Sequence, residues 1–322
     1  MGLKWKDVVT AVVLGVVCPA MVFSLESRRQ GSGPILSLGP STSESTVIED
    51  DSTIPILMND GTIQNMELDA YLICVVLKEM PASFENEALK AQAVVARTYT
   101  LRRLVKGSKH DNAVVCVDSS CCQGFITQDD YLKKGGKRES LDKVIKAVTD
   151  TSGLVLVYGD ELIDATYFSC SGGSTEDAVA VWGTDVPYLQ ATKSPGEEKA
   201  KYYVNTVTFS TKQFAKLLSI QPANSTSKWI ESITYTDGGG IDRIKICGST
   251  YKGTEIRKLL GLRSTSFVIT IVGETVTVTT KGYGHRVGMS QYGADAMAVA
   301  GSDYEQILLH YYKGVKIVEY EI

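Results

Sequence analysis

Pro81 fixes a helix boundary early in this chain, and the segments on either side must be arranged to suit that stop. Residues 67–78 are apolar at helical spacing, while Pro81 keeps Met80 out of the α region, so the helix ends around Glu79. The orphan carbonyls and negative pole of that helix end disfavour a carboxylate, and apolar neighbours add a desolvation cost. Both effects raise the pKa of Glu79. A carboxyl group kept protonated near neutral pH is what a general acid requires. Spacing alone leaves a second reading open, that of a solvated helix-end carboxylate with no chemistry.

A second helix is predicted over residues 84–105, with Ser83 as its N-cap and Glu85 and Glu87 in the first turns, where negative charge is favoured. Ala88, Ala91, Ala93 and Ala96 make this helix thin. Small residues let backbones approach, so it is expected to pack closely behind the Glu79 turn.

Beyond these helices the chain turns β-rich. Residues 153–158 and 163–168, separated by Gly159-Asp160-Glu161, read as a hairpin. Residues 203–209, 230–235, 241–246 and 267–280 read as further strands, interrupted by short helices at 211–218 and 254–260. The predicted fold class is therefore α+β. A mixed helical and β-rich core would comprise residues 60–202 and 281–322, with a smaller α+β unit inserted at 203–280 and the catalytic cleft between them.

The 322 residues, 43% of them hydrophobic, are ample for such a core. A net charge of −4 with no clustered Lys/Arg gives no footprint for nucleic acid. Residues 8–25 form an uncharged apolar run that just reaches spanning length, so residues 1–29 read as a membrane anchor, with a cleaved signal peptide as the alternative. Residues 30–59 are rich in Ser, Gly and Pro and read as a flexible linker to the catalytic body.

Polar candidates cluster in three places. Tyr167, Ser169 and Ser171 lead into Gly172-Gly173, a strand-to-loop turn whose glycines permit close backbone approach to a sugar. His285, Ser290, Gln291 and Tyr292 lie after a strand and at the head of a helix opened by Gly288. His110, Cys116, Cys121 and Cys122 offer one imidazole and three thiols, the ligand set of a closed zinc site. Their spacing departs from paired CxxC motifs, and both adjacent cysteines could bind only through a strained turn. A Cys116–Cys122 disulfide or free thiols are the alternatives. Seven cysteines cannot all pair.

The run YLICVVLKEMPASFENEALKAQAVVARTYTLRR (residues 71–103) resembles the signature of the stage II sporulation protein D family of lytic transglycosylases. YFSCSGGSTEDAVAVWGTDVPYLQ, GTEIRKLLGLRSTSF and GYGHRVGMSQYGADAMAVAG match the same family in order. The resemblance implies cleavage of peptidoglycan glycan strands during engulfment, with Glu79 as the single acid and zinc in the His/Cys loop as a structural ion. It implies that Arg97, in the ARTY motif, holds substrate or orients Glu79. It also implies a body outside the cell membrane, a sporulation amidase that removes stem peptides, and other engulfment membrane proteins as partners. The family usually has a glycine after the histidine, where this chain has Arg286; that departure is expected to narrow or charge the cleft. Two other classes remain: a peptidoglycan peptidase or amidase using zinc, or Cys170 with His285 as base, and an inert glycan-binding scaffold.

Overall fold

The computed structural model describes residues 53–221 and 228–320. The apolar run at 8–25 and most of the predicted linker lie outside the described residues. Among the described residues no helix is long and apolar enough to cross a membrane. The end of the predicted linker is ordered: β1 (Thr53–Leu57) pairs antiparallel with β2 (Ile63–Glu67), and Ile54 and Ile56 are buried.

α1 (Leu68–Glu79) ends as expected. Met80 takes an extended conformation before the proline, while its N–H still closes the last turn on the Val76 carbonyl at 3.0 Å. Ser83 is not the cap of α2 (Asn86–Lys106). The Phe84 N–H folds back onto the Pro81 carbonyl and Phe84 is buried, which moves the helix start beyond Ser83. The Glu85 N–H at the new start donates to Asp295 at 2.8 Å.

α2 is the axle of the core, with every residue from 91 to 100 buried. Its alanines admit close neighbours on all sides: α1, α4 (Arg138–Thr149), α8 (Gln291–Val299) and α9 (Tyr304–Tyr311) all pack on it. Its buried polar groups are largely paired. The Thr98 hydroxyl donates to the Val94 carbonyl at 2.7 Å and accepts the Leu156 N–H at 3.0 Å.

Around this axle lie short sheets and helices. β3 (Val115–Cys116) runs parallel to β1, and α3 (Gln128–Lys133) packs near α1. β4 (Leu154–Tyr158) turns into β5 (Glu161–Leu162), a tighter hairpin than the pattern predicts, since β5 begins inside the expected turn and ends before the expected second strand; β14 (Lys316–Glu319) takes the other edge of β4. The second half of the predicted hairpin goes elsewhere, since β6 (Tyr167–Phe168) pairs parallel with β13 (Met289–Ser290). α5 (Ala178–Trp182) ends at Gly183 in the left-handed conformation.

Residues 204–281 build the smaller α+β unit. One antiparallel sheet joins β8 (Ile230–Tyr235), β9 (Ile241–Ile246) and β10 (Ser249–Lys252). The other joins β7 (Val204–Ser210), β12 (Thr275–Lys281) and β11 (Phe267–Val272). With α6 (Thr211–Leu218) and α7 (Gly253–Leu259) they enclose Phe214, Trp229, Ile244, Ile256 and Val276, a cluster separate from that around α2.

Arg286 ties this unit to the core. Its side chain is buried, pairs with buried Glu176 at 2.8 Å, and donates to the carbonyls of Ser171, Ser174 and Gly238. Glu176 in turn accepts the Gly240 N–H at 3.0 Å. Arg286 therefore neither narrows nor charges the cavity described below; its left-handed backbone (φ 69°) turns it into the body of the protein.

Candidate active site

A cavity of about 690 Å³ opens beside Glu79. Its walls come from the α1–α2 end of the core, the loop at 119–122, the β6 region and the stretch after β12. It lies within the core, not between the core and the inserted unit as the domain arrangement led us to expect, because the glycine-rich segment 282–288 folds back onto β6 and carries Tyr283 and His285 into the core wall.

Glu79 is half-buried there. Burial raises its carboxyl pKa, and the Gly124 N–H and the nearby Lys78 charge oppose that rise in part. The Gly124 N–H donates to Oε1, which fixes the carboxyl at the wall and leaves Oε2 available to the cavity. Gly124 packs so tightly that a Cβ there would lie 2.8 Å from Oε1. The residue before it, Gln123, is buried and joins three elements: its amide N–H groups reach Thr100 at 3.0 Å and Tyr71 at 3.3 Å, and its carbonyl accepts from Tyr167 at 3.2 Å.

Tyr167, Ser169, His285 and Gln291 line the cavity with Glu79, Cys121 and Cys122. The remaining sequence candidates do not. Arg97 is buried on another face of α2, paired with Asp69 at 2.9 Å and donating to the carbonyls of Thr151, Val148 and Leu154; it joins α1 to the end of α4, and neither the cavity lining nor its hydrogen bonds bring it to Glu79. Ser171 and Ser290 are buried and both donate to Glu197, at 2.9 and 2.6 Å. Ser290, not Gly288, opens α8, its hydroxyl accepting the Gly293 N–H. Tyr292 packs edge-on against Phe84 at 4.9 Å. Gly172 does admit a close backbone, but that of Lys281 and Gly282, against which a Cβ would clash at 2.8 and 2.9 Å.

His285 is a fixed, neutral ring. Burial and then the nearby Arg257 charge push its imidazole down to about 4. Its Nδ1 accepts the Val287 N–H at 3.1 Å, and the ring sits between Phe168 and Trp182, with centroids 5.5 and 5.4 Å away. Cys170 is fully buried, its Sγ directed at Glu197 at 3.2 Å and its thiol pushed up to about 12 by burial and that carboxylate. This geometry offers no Cys–His nucleophile.

Sequence reasoning missed Tyr99, Arg103, Asp164, Trp182 and Tyr283, all in the cavity wall. Tyr99 and Arg103 are four residues apart and share one helix face, a signal that the spacing carries. The Arg103 guanidinium lies 4.9 Å from the Tyr99 ring centroid and pairs with Asp164 at 3.2 Å. Nothing in local sequence brings Asp164 or Tyr283 to this place.

His110, Cys116, Cys121 and Cys122 converge, their ligand atoms all within 4.8 Å of one another. The His110 Nε2 lies 3.8 Å from Cys121 Sγ and 3.5 Å from Cys122 Sγ, and the two sulfurs are 4.0 Å apart. The edges of a tetrahedron around zinc with thiolate bonds of ~2.3 Å are ~3.7 Å, so the donor set fits such an ion. The adjacent cysteines need no strained turn. The N–H groups of Cys121 and Cys122 both donate to the Asp118 carbonyl, and no residue of the turn has positive φ. Cys116, Cys121 and Cys122 are free thiols, with no disulfide among them.

A family model described as "Stage II sporulation protein" (SpoIID) matches residues 59–158, which span α1, α2 and this loop. Stage II sporulation protein D of Bacillus amyloliquefaciens is 39% identical over 282 residues, covering 86% of this chain and 81% of the relative. The chain belongs to the stage II sporulation protein D family. The Bacillus subtilis protein of the same name is 38% identical over 273 residues, covering 83% of this chain and 79% of its own. A protein named amidase enhancer from Bacillus subtilis is 31% identical over 305 residues, covering 76% of this chain and 40% of its own length. In this chain the matched segment holds the α1–turn–α2 unit and the His/Cys loop as one contiguous piece of sequence, and the loop delivers Gly124 to Glu79.

Proposed function

We propose that this chain is a peptidoglycan lytic transglycosylase that cleaves the bond between N-acetylmuramic acid and N-acetylglucosamine in peptide-free glycan strands. The observation that carries the reading is Glu79: a carboxyl with a raised pKa, pinned by Gly124, at the wall of a cavity large enough for sugar rings. The neutral carboxyl donates its proton to the glycosidic oxygen as the bond from the muramic C1 breaks. The resulting carboxylate then takes the proton of the muramic C6 hydroxyl, whose oxygen attacks C1 and closes a 1,6-anhydro ring. No water is consumed and Glu79 ends as it began.

One carboxyl suffices because the nucleophile belongs to the substrate, whereas hydrolysis needs two free carboxyl groups. The other carboxylate lining this cavity, Asp164, is engaged by Arg103. Glu176 is held by Arg286, and Asp177 accepts the Ala191 N–H at 2.8 Å, so neither is placed to activate water. Bound zinc would supply a cross-link for the loop at 110–122, with all four positions taken by His110, Cys116, Cys121 and Cys122, and the residues that act on substrate remain those around Glu79.

On this reading residues 8–25 hold the chain on the mother-cell membrane with its body outside, and it works beside an amidase that strips stem peptides and with other engulfment proteins. The relative named amidase enhancer supports that pairing. Mass spectrometry of products from denuded strands tests the reaction directly: anhydro ends, lighter by one water than reducing ends, are expected. Reducing ends as the main product would refute it and turn attention to Asp164. In Glu79→Gln, turnover should fall by ~10²–10⁴-fold with glycan binding retained; activity within ~threefold of wild type would remove Glu79 from the mechanism.

A further inference from the structure

Two guanidinium groups of the inserted unit lie next to the Tyr283–His285 wall of the cavity, outside its lining and without an acidic partner among the described residues; the Gly284 N–H donates to the Arg263 carbonyl at 3.0 Å. Arg257, on α7, is half-buried and has no salt bridge or side-chain hydrogen bond among the described residues. Arg263 lies over the rings of Tyr283 and Tyr202, 5.3 and 5.1 Å from their centroids, also with no carboxylate partner among the described residues. Tyr283 and His285 both line the cavity that holds Glu79, and Tyr283 is 43% exposed. Other cations of this wall are committed: Arg103 to Asp164 and Lys109 to the Cys121 carbonyl. Arg263, held over the exposed Tyr283 ring with no carboxylate beside it, is a cation whose natural complement is an anion supplied from outside, and Arg257, whose carbonyl accepts the Leu262 N–H at 2.8 Å, stands on the turn that leads to it.

We propose that Arg257 and Arg263, beside Tyr283, bind the free lactyl carboxylate of a muramic acid residue and so select glycan strands whose stem peptides have been removed. The inference rests on the glycan reading above. The chemistry follows from what removal of the peptide does to the substrate: the lactyl group of a peptide-bearing residue is a neutral amide, whereas that of a denuded residue is an anion. A planar guanidinium accepts a carboxylate through two parallel hydrogen bonds and has no equivalent geometry for an amide. Tyr283 offers its exposed face to the sugar ring while its other contacts, with Tyr202 and Arg263, keep it in place. The inserted unit thereby acquires a role in the site although it supplies no residue next to Glu79.

The test uses the Glu79→Gln protein, which binds without turnover, and measures its affinity by calorimetry for denuded glycan strands, for peptide-bearing strands and for chitooligosaccharides, which lack the lactyl group. Denuded strands should bind best, and that preference should shrink as salt is raised. Adding Arg257→Gln or Arg263→Gln should lower affinity for denuded strands by at least ~tenfold, the loss expected for one hydrogen bond to a charged group, and leave chitooligosaccharide binding unchanged. Arg257→Lys should recover part of the loss. Equal losses for charged and neutral glycans, or a preference independent of salt, would overturn the assignment. Arg263→Gln and the salt series decide the matter should Arg257→Gln fail to fold. Failure of the Glu79→Gln protein to bind any glycan would refute the glycan reading itself, whereas binding without discrimination would refute only the arginine pair.

Discussion

Gly124→Ala is the sharpest test of how this site is held. The backbone of Gly124 is outside the left-handed region, so alanine adopts its conformation without strain. The new Cβ would lie 2.8 Å from Glu79 Oε1, 2.9 Å from Lys78 Cγ and 3.3 Å from Glu79 Cδ. Ordinary contact begins at 3.4 Å, so the carboxyl must retreat by about 0.6 Å or turn about its side-chain bonds. Turning a side chain ~30° off its rotamer costs ~0.5–1.5 kcal/mol, and stability should fall by no more than that. Catalysis is more sensitive, since a displacement of ~1 Å can cost ~10²-fold in rate. The turnover of denuded strands should therefore drop ~10–100-fold, short of the loss in Glu79→Gln. The assay pairs initial rates of anhydro-ended product with a thermal melt and metal analysis of the same preparation. Rates within ~threefold of wild type would show that the Gly124 contact does not set the position of the acid. A loss of rate with the melt or metal content collapsing would show that the loop, not the carboxyl, had moved.

Three further outcomes are expected. The raised pKa of Glu79 means that its neutral form stabilises the fold relative to the ionised one; that contribution is complete below the unfolded value near ~4.3 and is lost as pH rises through the folded value. Glutamine never ionises, so Glu79→Gln should melt with wild type near pH ~4 and above it at pH ~8; a lower melt at the alkaline end would contradict the burial argument. Cys116→Ser should lower zinc content, read by elemental analysis of chelator-free protein, and lower the melting temperature, because gathering the loop is coupled to binding; protein without zinc but with a Cys116–Cys122 disulfide would refute the metal assignment. Arg286→Leu should cost ~3–5 kcal/mol in urea unfolding by leaving Glu176 buried and unpaired, with part recovered in Arg286→Leu/Glu176→Leu; equal stability of the single variant would show that the pair carries no such load.

Much of the secondary structure was legible in residues alone, for physical reasons that act locally. Pro81 dictated the end of α1, and the strands read at 203–209 and 241–246 and the short helix read at 211–218 correspond to β7, β9 and α6. Helix-end electrostatics singled out Glu79 as a carboxyl with a raised pKa, and residue chemistry singled out His110, Cys116, Cys121 and Cys122 as a possible ligand set, since each needs only neighbours in sequence or a short loop; the family resemblance supplied the roles. Arg97 shows where such reasoning stops. Its place beside the Glu79 helix is a matter of sequence, but which way it faces depends on Asp69 and on the carbonyls at 148, 151 and 154, which only packing brings together.

The same limit explains the cavity. The sequence by itself determined a carboxyl at a helix end, a thin helix behind it and a loop rich in residues able to ligate a metal. Tertiary structure alone decided that Gly124 donates to that acid, that Asp164 faces Arg103, and that β6 pairs with β13 so that His285 and Tyr283 reach the wall. These contacts join residues 45 to more than 100 positions apart. Propensity and periodicity act within a few residues, whereas the energy of a long-range contact exists only once the whole core has closed around it.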